Sequence, residues 1–395
     1  MRVLVLAWEF PPRLIGGIAR HVAELYPEIV KLNHEIHLLT VEFKDTPQYE
    51  LVEGIHLYRL AVEENSDFFQ WVANMNLVMQ EHGKKLFQKV KFDLIHAHDW
   101  LVGDAAIALK HQFKTPLVAT IHATENGRNN GIHKSGQKYI DDKEKNLVYN
   151  SWRVIVCSQY MRYEVESALN SPWNKIDVVY NGIRPEKKNH TADFDRLEFR
   201  RRFAHDDEFI IYYVGRIAYE KGIFVLLNSA PQILEALSGK VKVVVIGGGN
   251  TDSLKQQAKD LGIWNQCYFT GFMADQDLDK FQTIADCAVF PSLYEPFGIV
   301  ALESFAARVP VVVSDAGGLS EVVQHQKTGI VTYANNPESL AWGVLAILKN
   351  PEQSQTLVKN AYASLANHFS WSSLAQQTEA IYGRVIRERS LVKWQ

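Results

Sequence analysis

Two glutamates near the carboxyl-terminal end of the chain, Glu295 and Glu303, share the run Phe290-Pro291-Ser292-Leu293-Tyr294-Glu295-Pro296-Phe297-Gly298-Ile299-Val300-Ala301-Leu302-Glu303. Ionised carboxylates only accept hydrogen bonds, so they suit ligands rich in hydroxyls. Ala288-Val289-Phe290 reads as a short apolar strand, Pro291 and Pro296 cannot extend it, and Phe297 to Ala307 has helical spacing. Glu295 is therefore expected in a turn and Glu303 two turns inside a helix. The leading N–H groups of that helix, from Phe297, Gly298 and Ile299, would receive phosphate or polarised sugar hydroxyls, with Gly298 letting a ligand approach the backbone. Glu295 would touch what lies over the helix start, and Glu303 something longer, such as a ribose diol. An isolated pair of this kind more often just complements a helix dipole.

Cations stand earlier. Gly215-Arg216-Ile217-Ala218-Tyr219-Glu220-Lys221-Gly222 follows an apolar strand. The Arg216 fork and the Lys221 point charge would offer two cations to a diphosphate, or remain a solvated surface pair. Gly16-Gly17, after the first strand, allows a tight turn into a helix whose N–H groups are exposed to a ligand. The third glycine of a dinucleotide fingerprint is missing.

In the first half, Ala119-Thr120-Ile121-His122 ends a strand on a histidine, and His96-Ala97-His98-Asp99-Trp100 ends another on two histidines and an aspartate. By residue type the second set could ligate zinc, since a strand can turn His96 and His98 to one face. Glu125 opens the polar stretch Asn126-Gly127-Arg128-Asn129-Asn130-Gly131-Ile132-His133-Lys134, expected as a long loop. Its Arg128, His133 and Lys134 would suit a phosphorylated or polyhydroxylated acceptor.

Taken together, these strings resemble retaining, nucleotide-sugar-dependent glycosyltransferases of the GT-B fold, family 4. Glu295-Pro296-Phe297-Gly298 with Glu303 is similar to their EPFG…E signature, in which the first glutamate holds donor-sugar hydroxyls and the second the ribose. Gly215 to Gly222 is similar to their GRxxxxKG stretch, where the Arg216 and Lys221 positions neutralise the departing diphosphate. Gly16-Gly17 resembles the loop facing the donor phosphates. One departure stands there: starch and glycogen synthases carry Lys-x-Gly-Gly, and this chain has Leu14 at the Lys position, with Arg13 beside it. Thr120-Ile121-His122 resembles a T-x-H motif, implying that His122 bonds the sugar 6-hydroxyl. The His96-to-Trp100 stretch resembles an HAHDW strand end that bears no metal and lies near the acceptor, which assigns His98 and Asp99, with Glu125, to the acceptor side. Asp275-Gln276-Asp277 nominally matches a metal-binding DxD, but it opens an apparent helix and reads as cap and first-turn residues. No metal or cofactor is expected, so leaving-group charge falls on Arg216, Lys221 and helix dipoles. Gly248, within Gly247-Gly248-Gly249, and Phe272-Met273 are then expected to line the nucleotide pocket.

These residues must be placed by strands alternating with helices, the pattern of parallel sheets built from βαβ units. The first series is Arg2–Trp8, Glu35–Thr40, Leu94–Ala97, Leu117–Ile121, Val154–Cys157 and Ile176–Tyr180; the second is Phe209–Val214, Val241–Ile246, Cys267–Thr270, Cys287–Phe290 and Val309–Ser314. Between them, Arg184 to His190 has linker composition. The expectation is α/β, two doubly wound Rossmann-like domains facing a central cleft, at 1–190 (acceptor side) and 191–371 (nucleotide-sugar side). A tail helix at 372–395 would return to the first domain, as the GT-B resemblance implies. Trp71 to Lys89 is amphipathic and expected as a helix packed on a sheet.

With 395 residues, 47% hydrophobic, the chain can bury a two-domain core. A net charge of −3 gives no basic face, so nucleic acid is excluded as a partner. Cys157, Cys267 and Cys287 are odd in number and lie in or beside apolar runs, reading as thiols of a reducing compartment. The first apolar run is broken by Glu9 and Pro11-Pro12, too short for a leader or a span, so a cytoplasmic protein with at most peripheral membrane contact is expected. The functional expectation is transfer of a hexose from a nucleoside diphosphate sugar, UDP-glucose first and ADP-glucose second, to a sugar, sugar-phosphate or glucan hydroxyl. A phosphorylase would need a Schiff-base lysine motif, which is not visible. A sugar-nucleotide epimerase of the same fold and a non-catalytic sugar-nucleotide sensor are the alternatives.

Overall fold

Arg2–Leu6 (β1), with every residue but the first buried, shows why the sheets form as they do: a near-continuous Val/Leu run suits only a strand covered on both faces. The computed structural model describes residues 1–188 and 194–394. The chain divides into two compact units, Met1–Gly182 with Trp371–Gln395, and Ile183–Ser370. The sequence placed the first boundary at about 190, which lies outside the described residues; the contacts divide earlier, at Gly182. Of the expected linker, Pro185–Lys188 is a short 3-10 turn, and Asn189 and His190 lie outside the described residues.

The first unit holds an eight-stranded sheet. Besides β1 its strands are Glu35–Val41 (β2), Tyr49–Val52 (β3), Ile55–Leu60 (β4), Leu94–His98 (β5), Leu117–Ile121 (β6), Arg153–Val156 (β7) and Ile176–Val178 (β8), in the order β3-β4-β2-β1-β5-β6-β7-β8. Only β3, at the edge, runs antiparallel to its neighbour. The second unit orders Phe209–Val214 (β9), Val241–Ile246 (β10), Cys267–Gly271 (β11), Cys287–Phe290 (β12), Val311–Ser314 (β13) and Ile330–Thr332 (β14) as β11-β10-β9-β12-β13-β14, all parallel. This is the doubly wound arrangement, and the chain reverses direction of travel between β1 and β5 and between β9 and β12. Loops diverge at such points, so ligands bind outside the carboxyl ends of those strands.

The doubly wound α/β class is as expected, and strand limits shift by at most two residues. The hairpin β3–β4, turning on Glu53 and Gly54 at positive φ, and the edge strand β14 were not in the sequence list. Short edge strands carry half the apolar signal of buried ones. The amphipathic segment forms helix Phe68–Phe87, its Val72, Met75, Met79 and Leu86 buried.

The tail helix, Trp371–Ser390, belongs to the first unit. It buries Trp371, Leu374, Ala375, Thr378, Ile381, Tyr382 and Val385, a one-face helical repeat. All of these but Thr378 join Val22, Leu25, Tyr26 and Ile29 of helix Gly17–Lys31 and residues of β1, β2 and β4 in one core. Each large side chain so buried contributes about 1.5–3 kcal/mol. Tyr382 is fully buried and its hydroxyl lies 2.6 Å from His96 Nδ1. Tyr382→Ala should therefore cost the first unit about 3–5 kcal/mol in urea unfolding, and Tyr382→Phe about 1 kcal/mol. A loss under 1 kcal/mol for the alanine variant would mean that the helix is not part of this core.

Candidate functional site

In the second unit, β12 ends at Phe290, and Pro291 to Gly298 carries the chain over the sheet to helix Ile299–Ala306. The helix begins two residues later than its spacing suggested. Gly298 is its N-cap at φ +105°, a left-handed conformation that interrupts the helical path, and a Cβ there would lie 2.6 Å from Leu319 Cδ2. The leading amides are thus those of Ile299 and Val300, while Ala301 N donates to Gly298 O. Phe297, 3% exposed, packs its ring edge-on against Phe369 instead of opening the helix. Glu303 lies little more than one turn into the helix and is 5% exposed.

Glu295 is half-buried. Lys221 Nζ donates to its Oε2 at 2.7 Å, and Ser292 Oγ is 3.4 Å away. Lys221 comes from the turn after β9, where Gly222 at φ +65° lets the chain lie against the next loop: a Cβ on Gly222 would sit 2.0 Å from Pro291 O. Leu293 N and Tyr294 N both donate to Glu220 O, binding the two turns together. Arg216 is exposed, and its guanidinium donates to Glu220 Oε1 at 2.9 Å. The two cations and Glu295 therefore converge at the carboxyl ends of β9 and β12, each cation already holding a carboxylate.

The neighbouring glycines show the same close backbone packing. Gly247, at φ +149°, would place a Cβ 1.8 Å from Gly215 O, and Gly317 one 2.2 Å from Glu295 O. Gly215 N donates to Ile246 O, Ile217 N to Gly248 O, and Gly247 N to Gly271 O. Gly215 and Gly248 thus lie on adjacent turns after β9 and β10. Beyond β11, Phe272 is 75% exposed and Met273 half-buried. Asp275 and Asp277 are in the first turn of helix Asp275–Gln282, as read, but the N-cap is Ala274.

In the first unit, Gly16 and Gly17 are exposed at the start of helix Gly17–Lys31, with Gly16 as N-cap. Their surroundings differ from expectation. Glu9, 1% exposed, turns its carboxylate into the loop, accepting Ile15 N at 2.6 Å, Gly16 N at 3.0 Å and Ala19 N at 3.3 Å. An internal carboxylate thus occupies donors that the sequence offered to a ligand. Burial pushes its pKa up, opposed by the three amide bonds and by Arg13. Arg13 itself lies 5.6 Å from the ring centres of both Trp8 and Trp71. The available signal was a lone acid inside an apolar strand end that precedes two glycines.

His122 is half-buried just beyond β6, and its backbone N–H donates to Asp99 Oδ1 at 2.7 Å. Asp99 is 8% exposed, with φ +61°, and burial raises its carboxyl to about 7. His98 is fully buried, its Nε2 2.6 Å from Tyr26 OH and its Nδ1 3.0 Å from His122 Nε2. His98 and Asp99 thus lie against His122, the one bonded to its ring and the other to its backbone N–H. Glu125, 7% exposed, opens a short helix, Glu125–Asn129, where a loop was expected. Thr124 caps that helix through its hydroxyl, and Glu125 N donates to Glu144, whose carboxyl burial raises to about 9. Arg128, His133 and Lys134 are exposed, Arg128 lying 3.5 Å from Glu125. His21, Tyr26, His96, Glu144 and Tyr382 were not singled out together by sequence, because their partners lie on distant elements.

Residues 15–187 match the family model described as Glycosyltransferase Family 4, and residues 195–364 the model described as Glycosyl transferases group 1. A glycosyltransferase of Methanocaldococcus jannaschii is 38% identical, over 97% of this chain and 98% of its own. The glycogen synthase of Mycobacterium tuberculosis is 32% identical, over 97% of this chain and 94% of its own. The solved structure of sucrose-phosphate synthase from Thermosynechococcus elongatus superposes with a TM-score of 0.83 at 22% identity, covering 98% of this chain and 99% of that one. With its doubly wound units, its paired cations after β9 and its glutamates after β12, the chain belongs to the group 1 glycosyltransferases of the GT-B fold.

Proposed function

We propose that the protein is a retaining hexosyltransferase that moves glucose from a nucleoside diphosphate sugar to a hydroxyl of a sugar, sugar phosphate or glucan, and that it needs no metal. The observation that carries this reading is the Lys221–Glu295 pair, 2.7 Å apart beside Arg216 at the switch point of the second sheet. A cation and a hydroxyl acceptor held against each other are what a donor would separate. The diphosphate takes Lys221 and Arg216, and the hexose hydroxyls take Glu295. Charge grows on the diphosphate as the glycosidic bond breaks, so preorganised cations stabilise the transition state more than the ground state.

We assign Glu303 to the ribose and His122 to the hexose 6-hydroxyl. Attack comes from the acceptor hydroxyl on the same face as the leaving group, through an oxocarbenium-like state, and the departing diphosphate accepts the proton. Arg128, His133 and Lys134 offer charge to the acceptor. The names of two similar proteins, glycogen synthase and sucrose-phosphate synthase, favour glucose as the sugar. UDP-glucose is the first donor to test and ADP-glucose the second. Three buried free cysteines suit a reducing, cytoplasmic setting, and among the described residues no helix is long and apolar enough to cross a membrane. The deciding experiment is a donor-by-acceptor screen reading released nucleoside diphosphate. Donor turnover with no acceptor present would favour an epimerase, and silence across the panel a sensor.

Lys221→Ala and Arg216→Ala should each lower kcat by about 10²-fold or more, with a smaller effect on donor binding; unchanged turnover in both would remove the diphosphate from this pair. The two carboxylates should separate in calorimetry with free nucleoside diphosphate. Losing a buried acceptor leaves ligand hydroxyls unpaired at about 1–3 kcal/mol, so Glu303→Ala should weaken the nucleotide whereas Glu295→Ala spares it and impairs transfer. Equal losses, or a loss confined to Glu295→Ala, would reverse the assignment. Activity should also persist in EDTA, and its complete loss, restored by Mg²⁺ or Mn²⁺, would show that a metal carries the leaving-group charge.

A further inference from the structure

Three imidazoles of the first unit meet in a way that transfer chemistry does not require. His21 is on helix Gly17–Lys31, His98 ends β5 and His122 follows β6, and one ring nitrogen from each lies within 4.8 Å of the other two. His21 is 5% exposed. Its Nδ1 is 2.7 Å from Asn181 Oδ1, an atom that can only accept, so Nδ1 carries the proton and Nε2 presents a lone pair. That Nε2 is buried and has no hydrogen-bond partner. His98 is held at its Nε2 by Tyr26 OH at 2.6 Å, and its Nδ1 is turned to His122 Nε2 at 3.0 Å. A buried, oriented lone pair facing two further imidazole nitrogens is a ligand set with its outer contacts already in place.

We propose that His21, His98 and His122 form a binding site for one divalent transition-metal ion of the zinc class. At metal–nitrogen distances of about 2.0–2.1 Å, tetrahedral ligand atoms stand roughly 3.3 Å apart. The His98–His122 pair is already at 3.0 Å, and closing His21 onto it needs side-chain movement of about an ångström or slightly more. All-imidazole ligation selects Zn²⁺, Co²⁺, Ni²⁺ or Cu²⁺ over Mg²⁺ or Ca²⁺, which require oxygen. Asp99 accepts the backbone N–H of His122, which fixes the chain that carries this ligand. In the absence of an ion, a proton shared by His98 and His122 bridges the same two nitrogens.

The set is not the one His96, His98 and Asp99 suggested. His96 turns its Nε2 to Thr120 Oγ1 at 2.8 Å and its Nδ1 to Tyr26 and Tyr382, leaving the cluster. A second group, Glu35, His37 and His56, has similar spacing, but its glutamate is bonded to Arg2 and His37, and it serves as the control.

Chelator-treated full-length protein, titrated with Co²⁺ by calorimetry and visible absorption, should take up one ion per chain at this site and show the bands of four-coordinate cobalt. His21→Ala and the milder His122→Gln, each checked for folding by circular dichroism, should weaken binding at least about tenfold, and His37→Ala should leave it intact. Absence of binding by the parent protein, unchanged binding in folded His122→Gln, or loss in His37→Ala alone would overturn the proposal. On the transfer function proposed above, an ion at His122 also competes with the sugar. Co²⁺ that occupies the site without slowing transfer would uphold the site and remove His122 from the donor.

Discussion

Where the turn after β9 crosses the turn after β12, two backbones touch. Gly222 leaves no room for a side chain beside Pro291 O, and the Glu220 carbonyl takes the amides of both Leu293 and Tyr294. That contact sets the distance between Lys221 and Glu295, residues far apart in the chain. Further along, Gly317 and Gly318 close on the carbonyls of Glu295 and Pro296 in the same way. Backbone held by backbone has few soft degrees of freedom, so the charged groups above it are positioned before any ligand arrives. Preorganisation of this kind is what makes electrostatic stabilisation effective, since the cost of ordering has already been met in folding.

The first unit uses a different device. Its strand ends carry imidazoles, phenols and carboxylates buried beneath the surface, each satisfied by another polar side chain or a backbone amide. Tyr26 links His96 with His98, His98 reaches His122, and Asp99 grips the His122 amide. Burial drives the histidines toward their neutral forms and the carboxyls of Asp99 and Glu144 upward, so the region carries less charge than its composition suggests. Glu9 is pushed up by burial as well, and it differs in its partners: three amides at a helix start oppose that push.

The tail helix ties these parts together within the first unit. Tyr382 sits in the apolar core and also touches His96, so the same side chain contributes packing and orients the polar network. Trp371, where the tail re-enters this unit, packs edge-on against His21.

Much of this was legible in the sequence, because it is written in local pattern. Continuous apolar strands alternating with helices specify a doubly wound parallel fold, and the glycine, glutamate and cation motifs carry the resemblance to the glycosyltransferase family, which also implied the returning tail helix. What only the tertiary structure decided depends on partners remote in sequence. Helical spacing continues through Phe297 and Gly298, yet the helix begins at Ile299, because Gly298 takes a left-handed conformation at a place where Leu319 leaves no room for a side chain. Near Gly16 the sequence shows only a lone acid at the end of an apolar strand, and it is the tertiary structure that turns Glu9 onto the Gly16 amide. His98 stays stacked on His96, but the His96 nitrogens go to Thr120, Tyr26 and Tyr382, the last 286 residues away, while Asn181, 160 residues from His21, orients the ring that faces His98 and His122. Local periodicity decides which elements form; the order in which strands assemble decides which side chains meet.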